Sequence, residues 1–121
     1  GKKAATAKAS TVAERIVLGK QIYSQTCFAC HQGEGQGVPS AFPPLAKSDY
    51  LNADGNRAIA IVLQGKTGEI TVNGSKYNSV MTAQNLSDEE IANVLTYVYN
   101  SWGNNKTEVT PAMVNQVKGG H

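Results

Sequence analysis

The sequence predicts a mainly α domain with one small β-hairpin, and three observations carry that expectation. Two segments, one near each end, pair a capping residue with apolar positions at helical spacing. A short strand-like run over residues 70–77 is broken by Asn73-Gly74, a two-residue hairpin turn. Between the first helix and that hairpin lies a stretch rich in glycine and proline with no regular period. The 121 residues suit one compact domain, which at this size buries about two-thirds of the surface its unfolded chain exposes. Glycine, at 12 of 121 residues, exceeds the usual share of about 7%, so much of the chain is loop.

Charge and hydropathy exclude several classes. Eleven basic and nine acidic side chains leave a net charge of +2, too little for the dense basic face that binds nucleic acid. Most of that charge is terminal: residues 11–102 hold six basic and eight acidic side chains, a balance of −2. The longest apolar run, Ala58–Leu63, falls far short of the roughly 18 residues of a membrane span. Two cysteines cannot form a disulfide framework, so their role is local.

The elements follow in order. Residues 1–10 contain only Gly, Lys, Ala, Thr and Ser and are expected to be a flexible tail or linker. No signal-peptide core precedes them, so a processed mature form or an excised domain is expected. A helix starts at Thr11, with Glu14 completing a capping box, and carries Val12, Ile16, Gly19, Ile22 and Tyr23 towards Cys27. Gly19 inside it costs about 1 kcal/mol against alanine, which points to the close approach of another backbone. Residues 32–56 read as a long loop with few backbone partners of its own. A second helix over 57–64 is stopped by Gly65. The hairpin pairs 70–72 with 75–77. The last helix has Ser87 as cap and Glu90 closing its box. Ile91, Val94, Leu95, Val98 and Trp102 follow on one stripe. The domain therefore spans 11–102, and 103–121 reads as a C-terminal tail.

Cys27-Phe28-Ala29-Cys30-His31 is the sharpest motif. Two thiols three residues apart can each add across a vinyl group on one edge of a haem, and the next imidazole then lies under the iron. Other chemistries fit less well. A thioredoxin-like dithiol sits at a helix N-terminus after a strand, whereas this pair follows a helix. A zinc site needs four ligands, and only His121 remains to join Cys27, Cys30 and His31. Of the two methionines, Met81 lies in the loop before the last helix, where a thioether can supply the second axial ligand. A ligating imidazole usually donates its other N–H to a carbonyl. The rigid Phe42-Pro43-Pro44-Leu45 turn offers one, Pro43 being favoured over Pro44, with Leu45 as apolar cover.

These pieces, with Gly19 and Tyr23 on the first helix and Val94-Leu95 and Tyr97-Val98 on the last, resemble a class I cytochrome c over residues 11–102. The resemblance implies crossed N- and C-terminal helices around one haem c, held covalently through Cys27 and Cys30. It also implies Gly19 and Tyr23 meeting Val94, Leu95 and Val98. The run from Pro43 to Leu51, the hairpin before Val80-Met81, and 91–102 more narrowly resemble haem domains tethered to copper nitrite reductases. Similar domains occur in cytochrome subunits of quinoprotein and flavin dehydrogenases. Those domains commonly carry proline after the methionine, where this chain has Thr82.

The resemblance implies a one-electron carrier, not an enzyme, with His31 and Met81 as iron ligands and a periplasmic location. Its partner would be a redox protein, a cupredoxin-type copper centre among the candidates, with the isolated domain monomeric. Expected wall residues are Phe28, Val38, Phe42, Leu45, Ile59, Val62, Leu63, Ile70, Tyr77, Val80 and Leu95. Tyr77 is a candidate for a haem propionate, and Asn78 for the Met81 sulfur. Two alternatives from other classes stay open: a haem-based sensor with displaceable Met81, and a dithiol oxidoreductase.

Overall fold

The structure, a computed structural model, describes residues 8–120. Helices α1 (Val12–Thr26), α2 (Phe28–His31), α3 (Asp49–Ala53) and α4 (Gly55–Gln64) precede strands β1 (Ile70–Val72) and β2 (Ser75–Tyr77). Helices α5 (Asp88–Tyr99) and α6 (Pro111–Gly120) follow. The mainly α architecture and the antiparallel hairpin match expectation, with Ile70 opposite Tyr77 and Val72 opposite Ser75. No helix of the described residues is long and apolar enough to cross a membrane.

Capping chemistry sets the helix starts. Ser87 Oγ accepts from Glu90 N at 3.1 Å while the Glu90 carboxylate accepts from Ser87 N at 2.8 Å, a complete capping box. At α1 only half the box forms. Thr11 Oγ1 accepts from Glu14 N at 3.1 Å, but the Glu14 carboxylate reaches one residue further back, to Ser10 N at 2.7 Å. Residues 1–7 of the expected tail lie outside the described residues. Ala9 donates to the Glu89 carboxylate at 3.1 Å, so the tail's described end is tied to α5.

Helices α1 and α5 cross where Gly19 has no side chain. A Cβ there would stand 1.9 Å from the Asn93 carbonyl oxygen and 2.7 Å from Tyr97 Cβ. The residues at the contact are thus Asn93 and Tyr97, not the expected Val94, Leu95 and Val98, which face a cleft described below. Tyr23 packs its ring 5.6 Å from that of Tyr97 and 5.3 Å from that of Trp102. Beside the crossing, buried Arg15 donates to Asn93 Oδ1 at 2.7 Å and pairs with Glu89 and Glu108 at 3.2 and 3.3 Å. A buried cation of this kind is tolerated because it is both paired and hydrogen-bonded.

The expected tail at 103–121 is corrected by the structure. Thr110 Oγ1 accepts from Met113 N at 3.3 Å, Pro111 takes the first helical position, and α6 packs on α4 and α5. Val109 and Val114 are fully buried. Thr96 Oγ1 both donates to the Val109 carbonyl at 3.0 Å and accepts from Val109 N at 2.8 Å. This arm covers apolar surface of α4 and α5 that residues 11–102 leave without a partner. Its own apolar stripe is too short to announce a helix.

The long loop is also more ordered than expected. It contains α3, and its own backbone is paired: Leu45 N and Ala46 N donate to the Gly35 carbonyl at 2.7 and 2.9 Å, and Val38 bridges Phe42. Gly19→Ala should destabilise the protein by about 1–3 kcal/mol through overpacking at the crossing. Thr96→Val should cost about 1–3 kcal/mol by leaving both Val109 groups unpaired. Denaturant midpoints at unchanged m-value measure both; a Thr96→Val midpoint equal to wild type would mean that the arm adds no stability.

Candidate functional site

The end of α1 delivers the motif residues to one cleft. Cys27 N still donates to the Tyr23 carbonyl at 3.0 Å, and His31 N donates to the Cys27 carbonyl at 2.9 Å. The chain therefore makes one more helical turn, and Cys27, Cys30 and His31 all border the cleft. Both thiols are free; Cys27 is half-buried and Cys30 exposed. Burial pushes the Cys27 thiol up, outweighing the contact from Thr26 Oγ1 at 3.2 Å. A catalytic dithiol needs the opposite shift.

His31 is buried, and its Nδ1 lies 2.9 Å from the Pro43 carbonyl oxygen. Burial pushes the imidazole below its usual pKa and the Pro43 carbonyl partly offsets this, so the ring is neutral at physiological pH. With Nδ1–H donating to Pro43, the Nε2 lone pair is left as the ligand atom. Gly37 makes this possible. Its φ is +67°, and a Cβ there would stand 2.3 Å from the Phe42 carbonyl oxygen and 2.8 Å from that of Pro43. Gly37 N also donates to the His31 carbonyl at 3.0 Å, which holds the loop against the histidine.

Met81 borders the same cleft. Its backbone forms an isolated antiparallel bridge with Lys66, N to O at 2.8 and 2.9 Å. The Ser79 hydroxyl donates to the Ala41 carbonyl, joining the methionine loop to the loop that carries Pro43.

The cleft has a volume of about 490 Å³, within the range for cofactor sites. Of the expected wall residues, Phe42, Leu45, Val62, Ile70, Tyr77, Val80 and Leu95 border it. Phe28, Val38, Ile59 and Leu63 do not: Phe28 and Val38 are exposed, Ile59 is fully buried in the core, and Leu63 packs against the core. Helix α4 is apolar on two sides. Ala58, Ile61 and Val62, at i, i+3 and i+4, face the cleft, while Ile59 and Leu63 do not. That spacing was the signal for the Ala58 and Ile61 wall positions. Val94 and Val98 were missed as wall residues because the resemblance assigned them to the helix crossing. Pro43 and Leu45 are on the wall. Tyr77 is buried there, whereas Asn78 is exposed and off it.

Two thiols and a carbonyl-fixed neutral imidazole at one apolar cleft form a donor set suited to a covalently held haem. Among the described residues no cluster of three or more His, Cys, Asp or Glu offers an alternative metal site. Residues 16–102 match the cytochrome c family. The chain belongs to that family. A cytochrome c-552 from Thermus thermophilus is 47% identical over 93 residues, covering 73% of this chain and 70% of that protein. A second cytochrome c-552, from another strain of the same species, has the same identity over 62% of its length. The cytochrome c subunit of a quinone alcohol dehydrogenase from Gluconobacter oxydans is 32% identical over 90 residues, 72% of this chain but 19% of that subunit. As a cytochrome c, the protein carries haem c, with Cys27 and Cys30 as the attachment residues.

Gly37→Ala should force the Pro43 carbonyl away from His31 and cost about 1–3 kcal/mol. The His31 ring resonances in the NMR spectrum of the ferric protein should move with it; unchanged resonances would show that the carbonyl does not depend on Gly37.

Proposed function

We propose that the protein is a one-electron carrier in which His31 and Met81 ligate the haem iron from opposite faces. The observation that supports this most is the bracing of both residues at one apolar cleft, His31 by the Pro43 carbonyl and Met81 by the Lys66 bridge. Bound haem supplies a ferric/ferrous couple. The chain's own residues set its behaviour. Two protein ligands leave no open position for substrate, so the role is electron transfer and not catalysis. The apolar wall disfavours the extra charge of the ferric state, and the Met81 thioether acts in the same direction, so both raise the potential.

Electrons enter and leave at the edge of the cleft nearest solvent. Cys30 is exposed there, and Phe28 and Val80 are 48% and 65% exposed. A small apolar rim suits a transient partner with a small interface. The partner we favour is a copper nitrite reductase, fused or separate, receiving electrons at a cupredoxin-type centre. The run Pro43–Leu51, the hairpin and residues 91–102 support that choice by their resemblance. The named dehydrogenase subunit among the relatives supports a redox partner in general. Covalent haem attachment, a step completed outside the bacterial cytoplasm, supports a periplasmic location. The sensor alternative rests on Thr82, and the paired backbone of Met81 weighs against easy displacement.

Met81→Ala should abolish the weak near-infrared sulfur-to-ferric-iron band. It should also shift the ferrous/ferric equilibrium towards ferric by about tenfold or more, equivalent to about 59 mV for one electron. Persistence of the band would refute Met81 ligation. Reduced wild-type protein should keep its six-coordinate low-spin spectrum under carbon monoxide; a carbonyl adduct would favour the sensor.

A further inference from the structure

Lys66 differs from every other residue on the cleft wall. Apart from neutral His31, no other wall residue has a basic or acidic side chain that is charged at neutral pH, and the rest of the wall is dominated by apolar residues such as Ile61, Val62 and Ile70. Its backbone is committed to Met81, and its side chain is half-buried. Among the described residues no carboxylate lies within ion-pair distance of its ammonium. The other cation near the cleft is engaged. Arg57 stacks 3.6 Å over the Tyr50 ring and donates to the Tyr50 carbonyl at 2.6 Å.

A lysine in such a place lays its aliphatic stem along the apolar wall and carries its charge to the rim. A charge held at an apolar surface is costly unless it finds an anion or water. The group this cleft fits carries two carboxylates on one edge, the haem propionates. We propose that the Lys66 ammonium pairs with one of these carboxylates and so raises the midpoint potential. The inference rests on the haem reading above. Its sign is fixed by electrostatics: a nearby positive charge, or a neutralised carboxylate, destabilises the ferric state relative to the ferrous. The charge-assisted bond is stronger where water is partly excluded than on open surface.

The test uses the haem-containing wild-type protein with Lys66→Gln, Lys66→Arg and, as a control, Lys76→Gln on the exposed face of β2. Midpoint potentials are measured by spectroelectrochemistry at about 0.01 M and about 1 M salt, where the Debye length falls from about 30 Å to about 3 Å. Lys66→Gln should shift the ferrous/ferric equilibrium about three- to tenfold towards ferric at both salt concentrations. Lys66→Arg should stay near wild type, and Lys76→Gln should move it less than about twofold, and only at low salt. A Lys66→Gln shift no larger than that of Lys76→Gln, or one that vanishes at high salt, overturns the proposal. So does loss of the near-infrared sulfur band in Lys66→Gln, because the residue would then act through Met81. Intact mass separates the two levels: a wild-type mass equal to the bare chain overturns the haem reading, and this proposal with it.

Discussion

The carbonyl oxygen of Asn93 occupies the space where residue 19 would carry a side chain, and the geometry of the site depends on that contact. It lets α1 and α5 approach closely enough for Tyr23, Tyr97 and Trp102 to pack on one another beside it. The direction of α1 is then fixed, and its last turns bring Cys27, Cys30 and His31 to the cleft. The same crossing presents the other side of α5, with Val94, Leu95 and Val98, as cleft wall. One residue without a side chain thus orients both the attachment motif and part of the apolar lining.

From that frame the two candidate ligands are held by different means. His31 is set by burial and a single carbonyl, which keep the ring neutral and fix which nitrogen is free. Met81 is set through its main chain, by two hydrogen bonds to Lys66. Apolar surroundings alone would orient neither side chain, because the hydrophobic effect is non-directional. The directional element comes from backbone groups whose hydrogen-bonding capacity has to be satisfied in any case.

Much of this was legible in the sequence where local chemistry decides the outcome. Ser87 and Glu90 announce α5, Asn73-Gly74 announces the hairpin, and the spacing of Cys27, Cys30 and His31 announces the attachment site. The Pro43 carbonyl was readable because a proline turn holds its carbonyl rigidly. Features decided by tertiary context were not legible. Helix α4 is apolar on two sides, so periodicity alone could not say whether Ile59 or Ile61 faces the cleft. Helix α3 is five residues long and is stabilised largely from outside: Ser48 caps it, and the Tyr99 hydroxyl donates to the Leu51 carbonyl at 2.8 Å. Helix α6 has a readable start in Thr110-Pro111, but Val109 and Val114 acquire meaning only once the α4–α5 surface exists to receive them. The Glu14 box slipped by one residue because a flexible carboxylate can reach either of two adjacent N–H groups.

The bond from the Ser79 hydroxyl to the Ala41 carbonyl is small, yet it joins the two loops on either side of the site. The segment that fixes His31 and the segment that carries Met81 are thereby parts of one mechanical frame. For a one-electron carrier this bears on speed. Exchange is fastest when the nuclei move least between oxidation states, and prepositioned dipoles avoid the cost of rearranging during the event. A frame in which neither loop can relax without the other keeps that reorganisation low.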